Sequence, residues 1–181
     1  MAFRPKTPKP PLDAPSLLEF AVRSLSSKMK SIRDLRRKMA ERAEPGEEGE
    51  AAIDAVILKL KDLGYLSDER FAADYTRMRQ ENEKFGRRRV QQGLMQKGIA
   101  QELTNTTLSK AYDEVDEVAL ARAYVARKRM QQPTGDREQK QKETAKAMRR
   151  LVAAGFTTKT IWKVLRDWGA ELEELDLEDS E

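Results

Sequence analysis

Three stretches of this chain, "LLEFAVRSL" (17–25), "DERFAADYT" (68–76) and "EVALARAYV" (117–125), place an apolar residue followed by alanine at the same point and lie about fifty residues apart. The matching pairs are Phe20 and Ala21, Phe71 and Ala72, and Leu120 and Ala121. A period of that length points to one supersecondary unit used several times, each copy burying its apolar stripe with help from its neighbours.

A second segment repeats as well. "VQQGLMQKGI" (90–99) aligns with "AMRRLVAAGF" (147–156), which pairs Leu94 with Leu151, Gly98 with Gly155 and Ile99 with Phe156. The first copy, "LRRKMAERA" (35–43), has Ala43 at the glycine position and is followed by a longer acidic loop, "EPGEEGE" (44–50). Third helices are expected through Ile53–Leu63, Leu103–Tyr112 and Ile161–Trp168. The expected fold is therefore all-α: about nine short helices in three tandem three-helix repeats, forming an elongated curved array. The boundaries read as a disordered, proline-rich basic arm (1–15), repeats at 16–66, 67–114 and 115–169, and an acidic tail (170–181).

Local signals agree with helices. Charged residues make up 36% of the chain and hydrophobic ones 39%, and β-branched runs are scarce, so little or no sheet is expected. In 51–63, Ala52, Ile53, Val56, Ile57, Leu60 and Leu63 share one face and Gly64 supplies a left-handed stop. Ser67 reads as an N-cap, Asp68 and Glu69 occupy the positive first turn, and Phe71, Tyr75 and Met78 form the expected buried stripe. Gly98 and Gly155 read as C-terminal helix stops, and Gly93 as a site of close helix packing. Trp168 falls on the core face with Ile161 and Leu165, while Trp162 is open to either a core or a stacking role.

Chemistry is sparse. The chain has no cysteine and no histidine, which removes disulfides, thiolate metal sites and the commonest general base. No phosphate-cradling glycine loop or nucleophile motif is present, and no cofactor is expected. Asp68, Glu69 and Asp74 are near one another in sequence, but acids in a first turn ordinarily complement the helix dipole. The expectation is a protein without catalysis, soluble and cytoplasmic, with no stretch approaching the roughly 20 apolar residues that a membrane span needs.

Charge is the informative property. The formal net charge is +4, yet "ELEELDLEDSE" (171–181) holds seven acids and no base, so the remainder carries 35 bases against 24 acids. The bases cluster at Arg87, Arg88, Arg89 and Lys97, at Arg127, Lys128 and Arg129, and at Lys146, Arg149 and Arg150. If equivalent helices line one face, these residues form a stripe suited to a phosphate backbone or an acidic groove. The alternative is a set of ordinary solvated faces. The acidic tail reads either as a solubility element or as a segment that folds back on the basic face.

The stretch "LGYLSDERFAADYTRMRQENEKFGRRRVQQGLMQKGI" (63–99) resembles the signature region of the RecX regulatory proteins. Gly64, Tyr65, Leu66, Asp68, Arg70, Phe71 and Ala72 match its first element, Gly86 and Arg87 its second, and Leu94, Lys97, Gly98 and Ile99 its third. "LVAAGFTTKTIWKVL" (151–165) is similar to the family's closing segment, and the resemblance extends over roughly residues 16–168. Ser67 stands where the family often has an acid, and the two chain ends match no family pattern. The resemblance implies tandem three-helix repeats and a modulator, usually negative, of the recombinase RecA. Such a protein lodges in the groove of the RecA–single-stranded DNA filament and hinders its growth, ATP hydrolysis and strand exchange. Weak, sequence-nonspecific binding to single-stranded or duplex DNA and a monomeric state are further expectations. The competing reading is a helical DNA-binding regulator that acts without RecA.

Overall fold

The computed structural model describes residues 10–168, so the acidic tail and most of the proline-rich arm lie outside the described residues. Nine helices are found among them: α1 (Ala14–Ser27), α2 (Ile32–Ala40), α3 (Glu47–Asp62), α4 (Asp68–Glu81), α5 (Arg87–Gln96), α6 (Gln101–Tyr112), α7 (Glu117–Arg127), α8 (Arg137–Ala153) and α9 (Thr158–Arg166). They follow one another as three successive triplets. Among the described residues no strand occurs, only an isolated parallel bridge between Leu12 and Ala43.

Six of the helices start where the sequence supplies a side-chain cap, while α3 follows Gly46 without one. The side chains of Asp13, Ser31, Asp116, Asp136 and Thr157 accept amides of the first turns of α1, α2, α7, α8 and α9. Ser67 Oγ accepts the Arg70 amide at 3.1 Å, as the expected cap of α4. Helix α1 begins slightly earlier than periodicity suggests, because Asp13 caps it and a proline in the first turn has no amide to lose. The expected stops at Gly64, Gly98 and Gly155 all have positive φ, at 70°, 77° and 89°.

The repeat positions prove to be packing positions. Ala21, Ala72 and Ala121 are each 0% exposed, as are Leu94 and Leu151, while Ile99 and Phe156 are buried. A methyl side chain at the alanine site lets a neighbouring helix approach closely, and the leucine that follows in the second helix fills the remaining space. Two expectations fail: Leu63, expected on the apolar face of the third helix, is 58% exposed at the C-terminal end of α3, and Met78 is 48% exposed, the inward face of α4 being made instead by Phe71, Ala72 and Thr76, with Tyr75 half-buried. The i, i+1, i+4, i+5 pattern puts a small polar residue inside, which apolar periodicity alone does not detect.

The chain divides into two compact units. The first comprises residues 1–73 and 95–103; its core joins Leu17, Leu35, Met39, Ile53, Val56 and Leu60 from α1, α2 and α3. The second comprises 74–94 and 104–181, and its core gathers Ala121, Tyr124, Leu151, Ile161 and Leu165 from α7, α8 and α9 with Phe156 from the link between α8 and α9. Trp168 packs against this second core and is partly buried, in keeping with its expected place, and Trp162 is also partly buried.

Candidate functional site

Helix α5 begins with three arginines, in the turn where the helix dipole is positive and cations are disfavoured. The second unit offsets this by setting the C-terminal end of α8 against that turn. The Gly86 amide donates to the Ala154 carbonyl at 2.9 Å, and the Arg88 amide donates to the Gly155 carbonyl at 3.3 Å. Carbonyls left unpaired at one helix end thus receive amides left unpaired at the other, and their partial negative charge faces the arginines.

Two glycines allow this approach. A Cβ on Gly86 would sit 2.4 Å from the Gly155 carbonyl oxygen, and a Cβ on Gly155 would sit 2.2 Å from the Arg89 amide nitrogen. Gly155 also has φ +89°, which L residues rarely adopt. The segment leading into α5 is fixed by aromatic packing: the Phe85 ring lies 6.3 Å from that of Tyr124, which lies 5.7 Å from that of Phe156. The Tyr112 hydroxyl, its pKa pushed up by burial, donates to the Phe85 carbonyl at 2.8 Å.

The three arginines have different partners. Arg87 donates to Asp113 Oδ1 at 3.0 Å and to Ser109 Oγ at 3.1 Å, so it is tied to α6 and the residue following it. Arg89 is exposed with its guanidinium 5.8 Å from the Phe85 ring centre. Arg88 is exposed and has no acidic partner among the described residues. On α8, Lys146, Arg149 and Arg150 are all exposed, likewise without an acidic partner among the described residues. Ala147 and Leu151 of the same helix point into the core, so the three cations occupy its outward side at i, i+3, i+4 spacing.

Of the other expected site residues, Arg127, Lys128 and Lys97 are committed locally and Arg129 is not. Arg127 and Lys128 both approach Glu83, at 3.7 and 3.6 Å, and Lys128 lies 5.8 Å from the Tyr124 ring centre. Arg129 is exposed, with a left-handed backbone (φ 49°) just past the end of α7. Lys97 belongs to the first unit, where it pairs with Asp34 at 2.6 Å while its carbonyl accepts the Ser31 hydroxyl at 2.7 Å. The sequence gives no sign of these pairings, because Asp34 and Asp113 are brought to their partners by tertiary packing.

Asp68, Glu69 and Asp74 each engage a different partner. Asp68 accepts the Ile32 amide at 2.9 Å at the start of α2, Glu69 accepts the Ser67 hydroxyl at 2.7 Å, and Asp74 pairs with Arg77 at 3.2 Å. Among the described residues no group of three or more acids is placed to hold a metal ion, and no helix is long and apolar enough to cross a membrane. Gly93 faces the Tyr75 ring, whose hydroxyl would lie 2.2 Å from an added Cβ, so it serves side-chain packing.

The family model for "RecX, second three-helix domain" matches residues 67–108. The regulatory protein RecX of Escherichia coli strain SE11 is 38% identical over 119 residues, which cover 62% of this chain and 69% of that protein. The protein of the same name from Escherichia coli K12 / DH10B is 37% identical over the same shares. Two crystal structures share the fold. One, of regulatory protein RecX, has a TM-score of 0.63 at 23% identity, covering 85% of this chain and 71% of its own. The other, of RecX from Lactobacillus salivarius, has a TM-score of 0.62 at 20% identity, covering 86% and 96%. With the family's second three-helix domain matched over residues 67–108 and more than a third of aligned positions identical over 69% of a relative's length, this chain belongs to the RecX family of regulatory proteins.

Proposed function

We propose that this chain binds the RecA–single-stranded DNA filament in its groove and negatively modulates the recombinase, slowing filament growth, ATP hydrolysis and strand exchange. The observation that carries the reading is the set of exposed, acid-free cations Arg88, Lys146, Arg149 and Arg150 in the second unit. Cations that only solubilise a helix are commonly interspersed with acids, as Lys142 is paired with Glu138 on the same α8. A group left without acids is suited to a polyanionic surface.

Arg89, next to Arg88, and Arg129, just past the end of α7, are also exposed and extend the proposed face. Arg87, Arg127 and Lys128 act in it as cations already held by Asp113 and Glu83, contributing less net charge, and Lys97 is a separate proposed contact in the first unit, held by Asp34. The proposed repeats are residues 16–66, 67–114 and 115–169, and the protein acts as a monomer without a cofactor.

The test adds the protein, below one copy per recombinase, to preformed RecA filaments on single-stranded DNA and follows ATP hydrolysis. Suppression that weakens as salt rises is the expected result. Unchanged hydrolysis together with tight, site-preferring duplex binding would instead indicate a DNA-binding regulator independent of RecA.

A further inference from the structure

We infer that the cationic surface made by Lys146, Arg149 and Arg150 of α8 is a docking surface for the chain's own acidic segment, Glu171–Glu181, which competes there with the polyanion. The inference deepens the function proposed above, since it names a regulator of the same surface.

Three observations carry it. First, the surface has unmet charge: these side chains are exposed and have no acidic partner among the described residues, whereas Arg87, Lys97, Arg122 and Lys142 each have one. Second, the complementary charge exists in the same chain. Residues 171–181 hold seven acids and no base, which leaves no partner for them within their own stretch. Third, the chain enters this segment from the same unit that holds α8. Trp168, the last described residue, packs on the core shared by α7, α8 and α9.

Reach does not limit the contact. Residues 169–181 span up to roughly 40 Å at about 3.3 Å per residue, whereas the 17 residues of α8 extend about 25 Å. A tether this short gives the segment an effective concentration on the order of millimolar at the α8 surface. Individual exposed ion pairs are weak, so the segment is readily displaced by a denser polyanion, as a competitor should be.

The test uses the full chain and a variant of equal length with all seven acids neutralised: Glu171→Gln, Glu173→Gln, Glu174→Gln, Asp176→Asn, Glu178→Gln, Asp179→Asn and Glu181→Gln. In the free protein at low salt, zero-length carbodiimide coupling followed by mass spectrometry should join Lys146 to an acid of 171–181, and high salt should abolish the link. A segment docked nine-tenths of the time lowers apparent affinity about tenfold. The neutralised variant should therefore bind a single-stranded oligonucleotide about tenfold more tightly at low salt, with the gain disappearing as salt rises. Absence of the Lys146 link, or equal affinity of the two chains for the oligonucleotide, overturns the inference. If neither chain binds the oligonucleotide or affects RecA, the proposed function fails, and the coupling result alone decides the docking: a salt-sensitive Lys146 link supports it and no link overturns it.

Discussion

Asp68, a residue of the signature stretch, accepts the Ile32 amide at the first residue of α2, a donor that no intrahelical carbonyl can satisfy. Its role is therefore to join the start of α2 to the start of α4 within the first unit. Burial raises its pKa above the ordinary 3.8, against the opposing pull of the Ile32 amide, and the neighbouring Glu69 charge adds to the rise. The folded state thus holds the proton more firmly than the unfolded chain, so stability falls as pH rises from about 3.8 through the raised folded value. Asp68→Asn keeps an acceptor and removes the buried charge. It should exceed the parent in urea midpoint at pH 7, with the difference fading below the ordinary carboxylate range. Asp68→Ala leaves the Ile32 amide unsatisfied and should lower stability by about 1 kcal/mol. A midpoint for Asp68→Ala equal to the parent's would show that the amide finds another acceptor.

At the scale of elements, the junction between α8 and α5 is the feature that sets the arginine turn in place. Gly155→Ala puts a methyl group against the Arg89 backbone and asks alanine to hold φ +89°, so relief requires the two helix ends to separate and their two hydrogen bonds to break. A left-handed alanine costs about 1–2 kcal/mol and each lost hydrogen bond about 1, so the variant should lose roughly 3 kcal/mol in denaturant unfolding. Tyr112→Phe, which removes only the bond to the Phe85 carbonyl, should cost about 1 kcal/mol. The glycine at 155 was legible as a helix stop because the signal is local: a leucine four residues earlier and an apolar residue just after. Its second role, admitting the Arg89 backbone, was not legible, since residues 86 and 155 meet only through folding. The same holds for the site. Charge density along α5 and α8 could be read from sequence, whereas the ion pairs of Arg87 with Asp113 and of Arg127 with Glu83 could not, and these separate held cations from open ones. Met78 was misplaced for a related reason, as Thr76 took the inward position with no apolar signal to mark it.

For the molecule as a whole, binding to a polyanion depends on which cations have charge to give. A protein that neutralises phosphates with its own cations releases counterions, and for single strands the logarithm of affinity falls with the logarithm of salt by about 0.7 per phosphate neutralised. Arg149→Glu with Arg150→Glu converts two exposed, acid-free cations on α8 into anions without touching Ala147 or Leu151 on the buried side. Helicity and unfolding midpoint should stay near the parent's, while the salt slope for single-stranded DNA should shrink by at least about 1.4. Reversal of Arg87 and Lys97 makes the contrasting pair, since both already face acids at 3.0 and 2.6 Å. Arg87→Glu with Lys97→Glu should therefore disturb folding more and the salt slope less, because each substitution sets two carboxylates against one another. Fluorescence anisotropy of a labelled oligonucleotide across a salt series, run beside urea titrations of both double variants, separates the two effects. An unchanged slope for the Arg149 and Arg150 reversal would remove α8 from the polyanion-binding surface, and a larger slope loss from the Arg87 and Lys97 pair would shift the contact to α5 and the loop that follows it.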